Sequence, residues 1–173
     1  MSFELAVFWT FAGLAVLAAV LCITRRSPVA SALWLVVTLF ALAALFVLLD
    51  AQFIAALQVL VYAGAIMVLF LFVIMLLNLG RGGPSDIKGP VGVGVGALLA
   101  GLLLLQLRIL GQAAPPDAIR LPEGAMAALQ REQGLVGAVA RPLFGAYLVP
   151  FEITSLLLLA AIVGAVVLAK RKL

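Results

Sequence analysis

Five apolar runs, each long enough to cross a bilayer, constrain this chain more than any other feature of it. They occupy residues 3–23, 29–49, 53–78, 91–110 and 151–169. A hydrocarbon core about 30 Å thick needs roughly 17 to 25 predominantly apolar residues in a helix. No water is available there to satisfy an open backbone, so each run has to be helical. The composition fits: 66% of the 173 residues are hydrophobic and 10% charged, with a mean hydropathy of +1.33, whereas a soluble domain has about 45–50% apolar and 25% charged residues. The expected fold class is an all-α integral membrane protein, one transmembrane domain over residues 1–173 with a polar outer loop at 111–150.

Orientation follows from Lys and Arg, because short positively charged loops stay cytoplasmic. Arg25 and Arg26 mark the first loop, Arg81 and Lys88 the third, and Lys170, Arg171 and Lys172 the C-terminus. The alternate side carries Glu4, Asp50 and a fourth loop in which Asp117, Glu123 and Glu132 balance Arg120, Arg131 and Arg141. The N-terminus is therefore expected outside and the C-terminus inside. The first run is expected to stay in the mature protein, since its arginines follow the apolar stretch instead of preceding it. Topology explains the net charge of +4, and no nucleic-acid partner is expected.

The chain has no His and a single Cys, so haem, iron–sulfur and zinc sites cannot be built from it alone. Cys22 reads as a small apolar side chain among other small residues. The glycines at 80–83 and at Gly92, Gly94 and Gly96 do not continue as GxGxxG or end in GK[ST], so no nucleotide site is read.

Along the chain, helix one carries Ala12, Gly13, Ala15, Ala18 and Ala19, which let a neighbouring backbone come close where hydrophobicity gives no drive for association. Ser27 is placed to cap helix two, with Pro28 in its first turn. Helix two ends at Asp50, and the short connection makes helices two and three antiparallel neighbours. Helix three, at about 1.5 Å per residue, would measure roughly 39 Å, so it must tilt, bend or be locally irregular. The segment Gly80-Arg81-Gly82-Gly83-Pro84-Ser85-Asp86 reads as a flexible loop. In helix four Gly92, Gly96 and Ala100 form a small-residue face, as do Ala161, Ala165 and Ala169 with Gly164 in helix five. Between them, after Pro115-Pro116, a short surface helix is expected around residues 124–133. No internal repeat divides the chain, and the odd helix count argues against a self-contained transporter of two inverted halves.

A charge at mid-membrane costs about 2.5 to 3.5 kcal/mol on insertion scales and is kept for a purpose. Here the acidic groups lie at helix ends, so a pump working alone is not expected. Asp50 reads as a solvated interfacial residue. Glu152, placed just after Pro150, has two readings: a carboxylate favoured by the helix N-terminal dipole, or a member of a proton path. Gln58 and Tyr62, four apart, share a face and can hydrogen-bond a partner helix or buried water. Tyr62-Ala63-Gly64-Ala65 reads first as a close-packing face. The same small residues lower the cost of a single-turn π-bulge, a feature common at functional sites.

The stretch Gln58-Val59-Leu60-Val61-Tyr62-Ala63-Gly64-Ala65-Ile66-Met67-Val68-Leu69-Phe70, followed by Met75-Leu76-Leu77-Asn78, resembles the third helix of the J-subunit family of bacterial proton-pumping NADH:quinone oxidoreductase (respiratory complex I), the counterpart of mitochondrial NADH dehydrogenase subunit 6. Pro28-Val29-Ala30-Ser31-Ala32-Leu33 resembles the family's second helix at its start. Leu143-Phe144-Gly145-Ala146-Tyr147-Leu148-Val149-Pro150-Phe151-Glu152, with Ser155, Gly164 and Ala165, resembles its fifth.

The resemblance implies five helices with the N-terminus outside, in a bacterial inner membrane, and a π-bulge on helix three whose formation and loss alter a water path. Tyr62, Ala63, Gly64, Ala65, Met67 and Val68 would belong to that gate, with Gln58, Tyr62 and Glu152 along a proton or water path. Some members of the family carry Glu where this chain has Gln58. The chain would be a subunit of a translocating oxidoreductase without a redox centre or catalytic residue of its own. FMN, iron–sulfur clusters, NADH and quinone would be handled by other subunits. Its partners would be the quinone-site subunit, small helical subunits, antiporter-like subunits and the lipid bilayer. The competing readings are the equivalent subunit of a membrane-bound hydrogenase or multisubunit cation/proton antiporter, and a small independent transporter or channel.

Overall fold

The computed structural model describes residues 3–77, 89–112, 122 and 124–170, with 89–91 as backbone only. The expectations for Asn78, for the glycine-rich third loop with Arg81 and Lys88, for Pro115 to Arg120, for Glu123 and for the last three residues lie outside the described residues. Among the described residues there are six helices and no strand. They are α1 (Phe3–Thr24), α2 (Pro28–Leu48), α3 (Gln52–Leu77), α4 (Gly89–Gln112), α5 (Ala125–Leu143) and α6 (Leu148–Ala169). All but α5 contain a stretch long and apolar enough to cross a membrane. The chain divides into two compact units, Met1–Glu123 and Gly124–Leu173.

In the first unit the α1–α2 turn is closed by local hydrogen bonds. Ser27 is the N-cap of α2, its hydroxyl accepting from the Ala30 N–H at 3.5 Å, and Pro28 opens the helix, where its missing N–H costs nothing. The Ser31 hydroxyl donates to the Arg25 carbonyl at 3.3 Å, and the Arg25 guanidinium lies 5.9 Å from the centre of the Trp34 ring. Such a cation–π contact suits a membrane–water boundary, where an amphipathic ring meets a charged headgroup layer.

Helix α1 turns a stripe of Phe11, Ala15, Ala18 and Cys22 inward; Gly13 and Ala19, also expected to pack, are exposed. Of the nine buried hydrophobic residues described, seven are alanines. Packing in this unit therefore depends on close backbone approach, the mechanism open to helices in lipid. Between α2 and α3 the contact is a small cluster of Ala32, Met67 and Ile74 with Leu35, Val36, Leu39 and Leu71. The α2 members fall at i, i+3, i+4 and i+7 and those of α3 at i, i+4 and i+7, the spacing that places side chains on one helical face.

The α2–α3 corner is a Schellman motif. The Ala51 N–H donates to the Phe46 carbonyl at 2.9 Å and the Asp50 N–H to the Val47 carbonyl at 3.1 Å, which places Asp50 at the left-handed position with φ 55°. Glycine is the usual occupant there; a residue with a Cβ is strained, Asp less than most. Asp50 is exposed, as its interfacial reading requires.

In the second unit α5 is longer than the short helix expected within residues 111–150, and it is bent at Gly134 (φ 75°, ψ 164°). A hydrogen-bonded turn, with the Tyr147 N–H donating to the Pro142 carbonyl at 2.9 Å, leads into α6. The Phe144 and Phe151 rings meet edge to face at 5.1 Å. Helix α6 begins at Leu148, three residues before the expected start at 151. Pro150 suggests a start beyond it, yet a proline within the first turn forgoes only an N–H that has no helical partner anyway. Glu152 becomes the fifth residue, outside the first turn. Its expected interaction with the helix N-terminus is lost, because that field falls off within one turn.

Replacing fully buried Ala18 with Leu overpacks the α1–α2 contact and is expected to cost about 1–3 kcal/mol; an unchanged melting temperature of the purified protein would show that the helices do not pack there. Asp50→Val puts a β-branched residue at the left-handed position and should lower the melting temperature; an unchanged value would show that the corner tolerates it.

Candidate functional site

Helix α3 starts as an α-helix at Gln52–Leu57, passes through nine π-helical residues at Gln58–Ile66, and resumes as an α-helix at Met67–Leu77. The transition can be followed in the backbone. The Gln58 N–H reaches back to the Ile54 and Ala55 carbonyls, as in an α- or tighter turn. The Met67 N–H instead donates to the Tyr62 carbonyl, five residues back.

Gly64 sits inside this segment, and a Cβ on it would lie 3.2 Å from the Val59 carbonyl oxygen. That oxygen is five residues back, the acceptor position of the π register. The missing side chain thus leaves room for the wider turn at the place where the turn is made.

The other residues expected at a gate divide by face. Ala63 and Met67 are buried, while Tyr62 (53% exposed), Gly64, Ala65 and Val68 point outward. Ala55 is buried before the π segment, and Met67, Leu71 and Ile74 hold the helix to α2 after it. The segment packs against α2 along its inner side, at Ala63, while its outer side is open. Gln58 is half-buried, whereas Tyr62 on the next turn is exposed, so the expected shared face is not equally covered. Glu152 lies in the second unit and is exposed; its backbone carbonyl accepts from the Ser155 hydroxyl at 2.7 Å.

One polar residue here was not anticipated from the sequence. Gln52, the first residue of α3, has its side-chain oxygen buried without a hydrogen-bond partner. It heads a groove of about 360 Å³ between α2 and α3, lined by Phe40, Ala43 and Val47 on one side and Ala56 and Val59 on the other. The signal available was a polar side chain next to an acidic helix-end residue at the top of an apolar span. Among the described residues, His, Cys, Asp and Glu form no group of three able to hold a metal.

These features define the class: a multi-pass, all-helical membrane protein whose third span contains a π-helical segment. The chain belongs to the family of NADH-ubiquinone/plastoquinone oxidoreductase chain 6, which matches residues 18–168. It is 40% identical to NADH-quinone oxidoreductase subunit J of Pseudomonas aeruginosa over 91% of this chain and 92% of that protein. It is 37% identical to the subunit of the same name in Escherichia coli (strain K12), over 88% and 79%. It is also 34% identical to F(420)H(2) dehydrogenase subunit J of Methanosarcina mazei, over 96% and 91%.

Gly64→Ala opposes the π register twice, through the close Val59 oxygen and through an α-helical preference about 1 kcal/mol better than that of glycine. The expected outcome is an α-helical register across residues 59–64 in a density map of the variant; an unchanged π segment would show that Gly64 does not set it.

Proposed function

We propose that the chain is a non-redox membrane-arm subunit of an NADH:quinone oxidoreductase, set between the quinone-site module and the antiporter-like subunits of a bacterial inner membrane, with its N-terminus outside. In this reading α3 is a gate. The π segment at 58–66 can pass to an α register and back, turning Tyr62, Gly64, Ala65 and Val68 relative to Ala63 and Met67. A water path beside Gln58 and Tyr62 opens and closes with that turn, and Glu152 contributes a carboxylate on the fifth span. Flavin, iron–sulfur clusters, NADH and quinone are held by partner subunits; one cysteine and no histidine in this chain are too few donors for such centres. The observation that carries the reading is the family match, which runs through the π-helical span and both of its neighbours in sequence.

The chain's own surface is consistent with a place among subunits. Apolar side chains along α4 and α6 are exposed over their whole length, from Val93 to Leu110 and from Leu148 to Leu168. Such helices belong in lipid or against other membrane helices.

The relative from Methanosarcina mazei supports a second reading of the electron-input side. Its name attaches a subunit of this kind to a dehydrogenase of a different donor, so the hydrophilic subunits, not this one, would choose the donor. Genes for those subunits beside this one decide the matter.

The proposal predicts that the chain purifies from its native membrane with flavin- and iron–sulfur-containing subunits; isolation without them would refute it. It also predicts that Gly64→Val, which adds a β-branched side chain against the Val59 oxygen, leaves the complex assembled but reduces proton pumping per electron pair. Loss of the complex itself would assign Gly64 to packing.

A further inference from the structure

The proposed gate makes no use of α5, yet this helix has a sidedness that needs an explanation. After the bend at Gly134, Leu135, Val136, Val139 and Leu143 fall at i, i+1, i+4 and i+8, within about 100° of one another, and Arg141 lies on the opposite side. Before the bend, Met126 and Leu129 share a side, Arg131, two residues past Leu129, is about 200° round the helix from it, and exposed Glu132 lies at the edge of the apolar side, about 60° from Leu129. The apolar side is only partly covered: Val139 and Leu143 are half-buried, whereas Leu135 is 47% and Val136 57% exposed.

Position decides what could cover it. Residues 144–147 form a hydrogen-bonded turn joining α5 to α6, and four residues span at most about 14 Å. Because α6 is long and apolar enough to cross a membrane, the end of α5 is held at the surface of the bilayer that α6 enters. Phe144 and Tyr147, both 60% exposed, sit at this junction, the level at which aromatic side chains concentrate in membrane proteins. Exposed Leu148 and Val149 then continue the apolar surface into the span.

We propose that α5 lies in the membrane–water interface and binds lipid, with Leu135, Val136, Val139 and Leu143 in the acyl boundary and Arg131 and Arg141 at the level of the lipid phosphates. An amphipathic helix with arginines on its polar side is the chemistry such a surface recognises, and long cationic side chains reach outward to the phosphates while their stems cover apolar surface. The bend at Gly134 lets the two halves each lay their own apolar side down. This inference rests on α6 as a membrane span and not on the oxidoreductase reading.

The test uses the full chain with whatever it assembles with, in nanodiscs of phosphatidylcholine and phosphatidylglycerol. In a Cys22→Ser background, Val136→Cys and Arg141→Cys are each labelled with bimane. A nitroxide-bearing lipid should quench the Val136→Cys label at least about threefold more than the Arg141→Cys label, and aqueous iodide should show the reverse preference. Quenching of the Val136→Cys label by iodide alone would place the helix in water and overturn the proposal. Protection from both quenchers would show that a protein partner covers this face and would overturn it equally. If Val136→Cys fails to fold, Leu135→Cys reads the same face, and if Arg141→Cys fails, Arg131→Cys reads the polar side, with the same outcomes deciding.

Discussion

The structure depends on one constraint: a backbone N–H or carbonyl in hydrocarbon has no water to turn to. Among the described residues, several irregular features meet this condition, each in its own way. The Schellman bonds at Asp50 satisfy the last carbonyls of α2, Ser27 serves a free N–H at the start of that helix, and the turn at 144–147 bonds within itself. The π segment is the instructive case. The Gln58 N–H still reaches an α-type acceptor, while the Met67 N–H reaches the Tyr62 carbonyl, one residue further back than in an α-helix, so the register changes while these groups stay bonded. A span that had to break its bonds to change shape could not do so cheaply in a bilayer. One that exchanges them can.

The same environment decides how the helices meet. Burying leucine against leucine gains little when lipid is equally apolar, so contact is made where backbones can come close. That accounts for a core of mostly alanine and for large aliphatic side chains facing outward along α4 and α6. Two devices depart from this pattern, the Met67 and Ile74 contacts with Ala32 of α2. They fix the second half of α3 to its neighbour and leave the π segment between that anchor and buried Ala55.

The spans were legible in the sequence because length and hydropathy alone decide them. Their contents were legible in part. Ser27 and Pro28 carry a local signal that does not need tertiary context, and the structure uses them as read. Pro150 carries an ambiguous one: it forbids a helix interior but not a first turn, so α6 starts earlier and Glu152 moves down the helix. Faces in α3 were the least legible. Spacing puts Gln58 and Tyr62 on one side, but how far each is covered depends on what the neighbouring helix reaches, so Gln58 is half-buried and Tyr62 exposed. Gln52 was missed for another reason. Its burial is produced by the groove between two helices, which no pattern along a single strand of sequence encodes.

A helix without an ionisable group at mid-membrane can still govern protons if it has two discrete arrangements, because coupling between sites needs a bistable element whose equilibrium each site can bias. Packed cores switch between states and do not deform continuously. α3 packs against α2 before, within and after the π segment, with Ala55, Ala63 and then Met67, Leu71 and Ile74 on the covered side, so a change in register in the interval 58–66 would have to repack part of that contact. Gly64 is in that interval, beside the one carbonyl a Cβ would crowd. Alanine at this position would shift the balance toward an α register by about the amount that separates the two residues in a helix, roughly 1 kcal/mol.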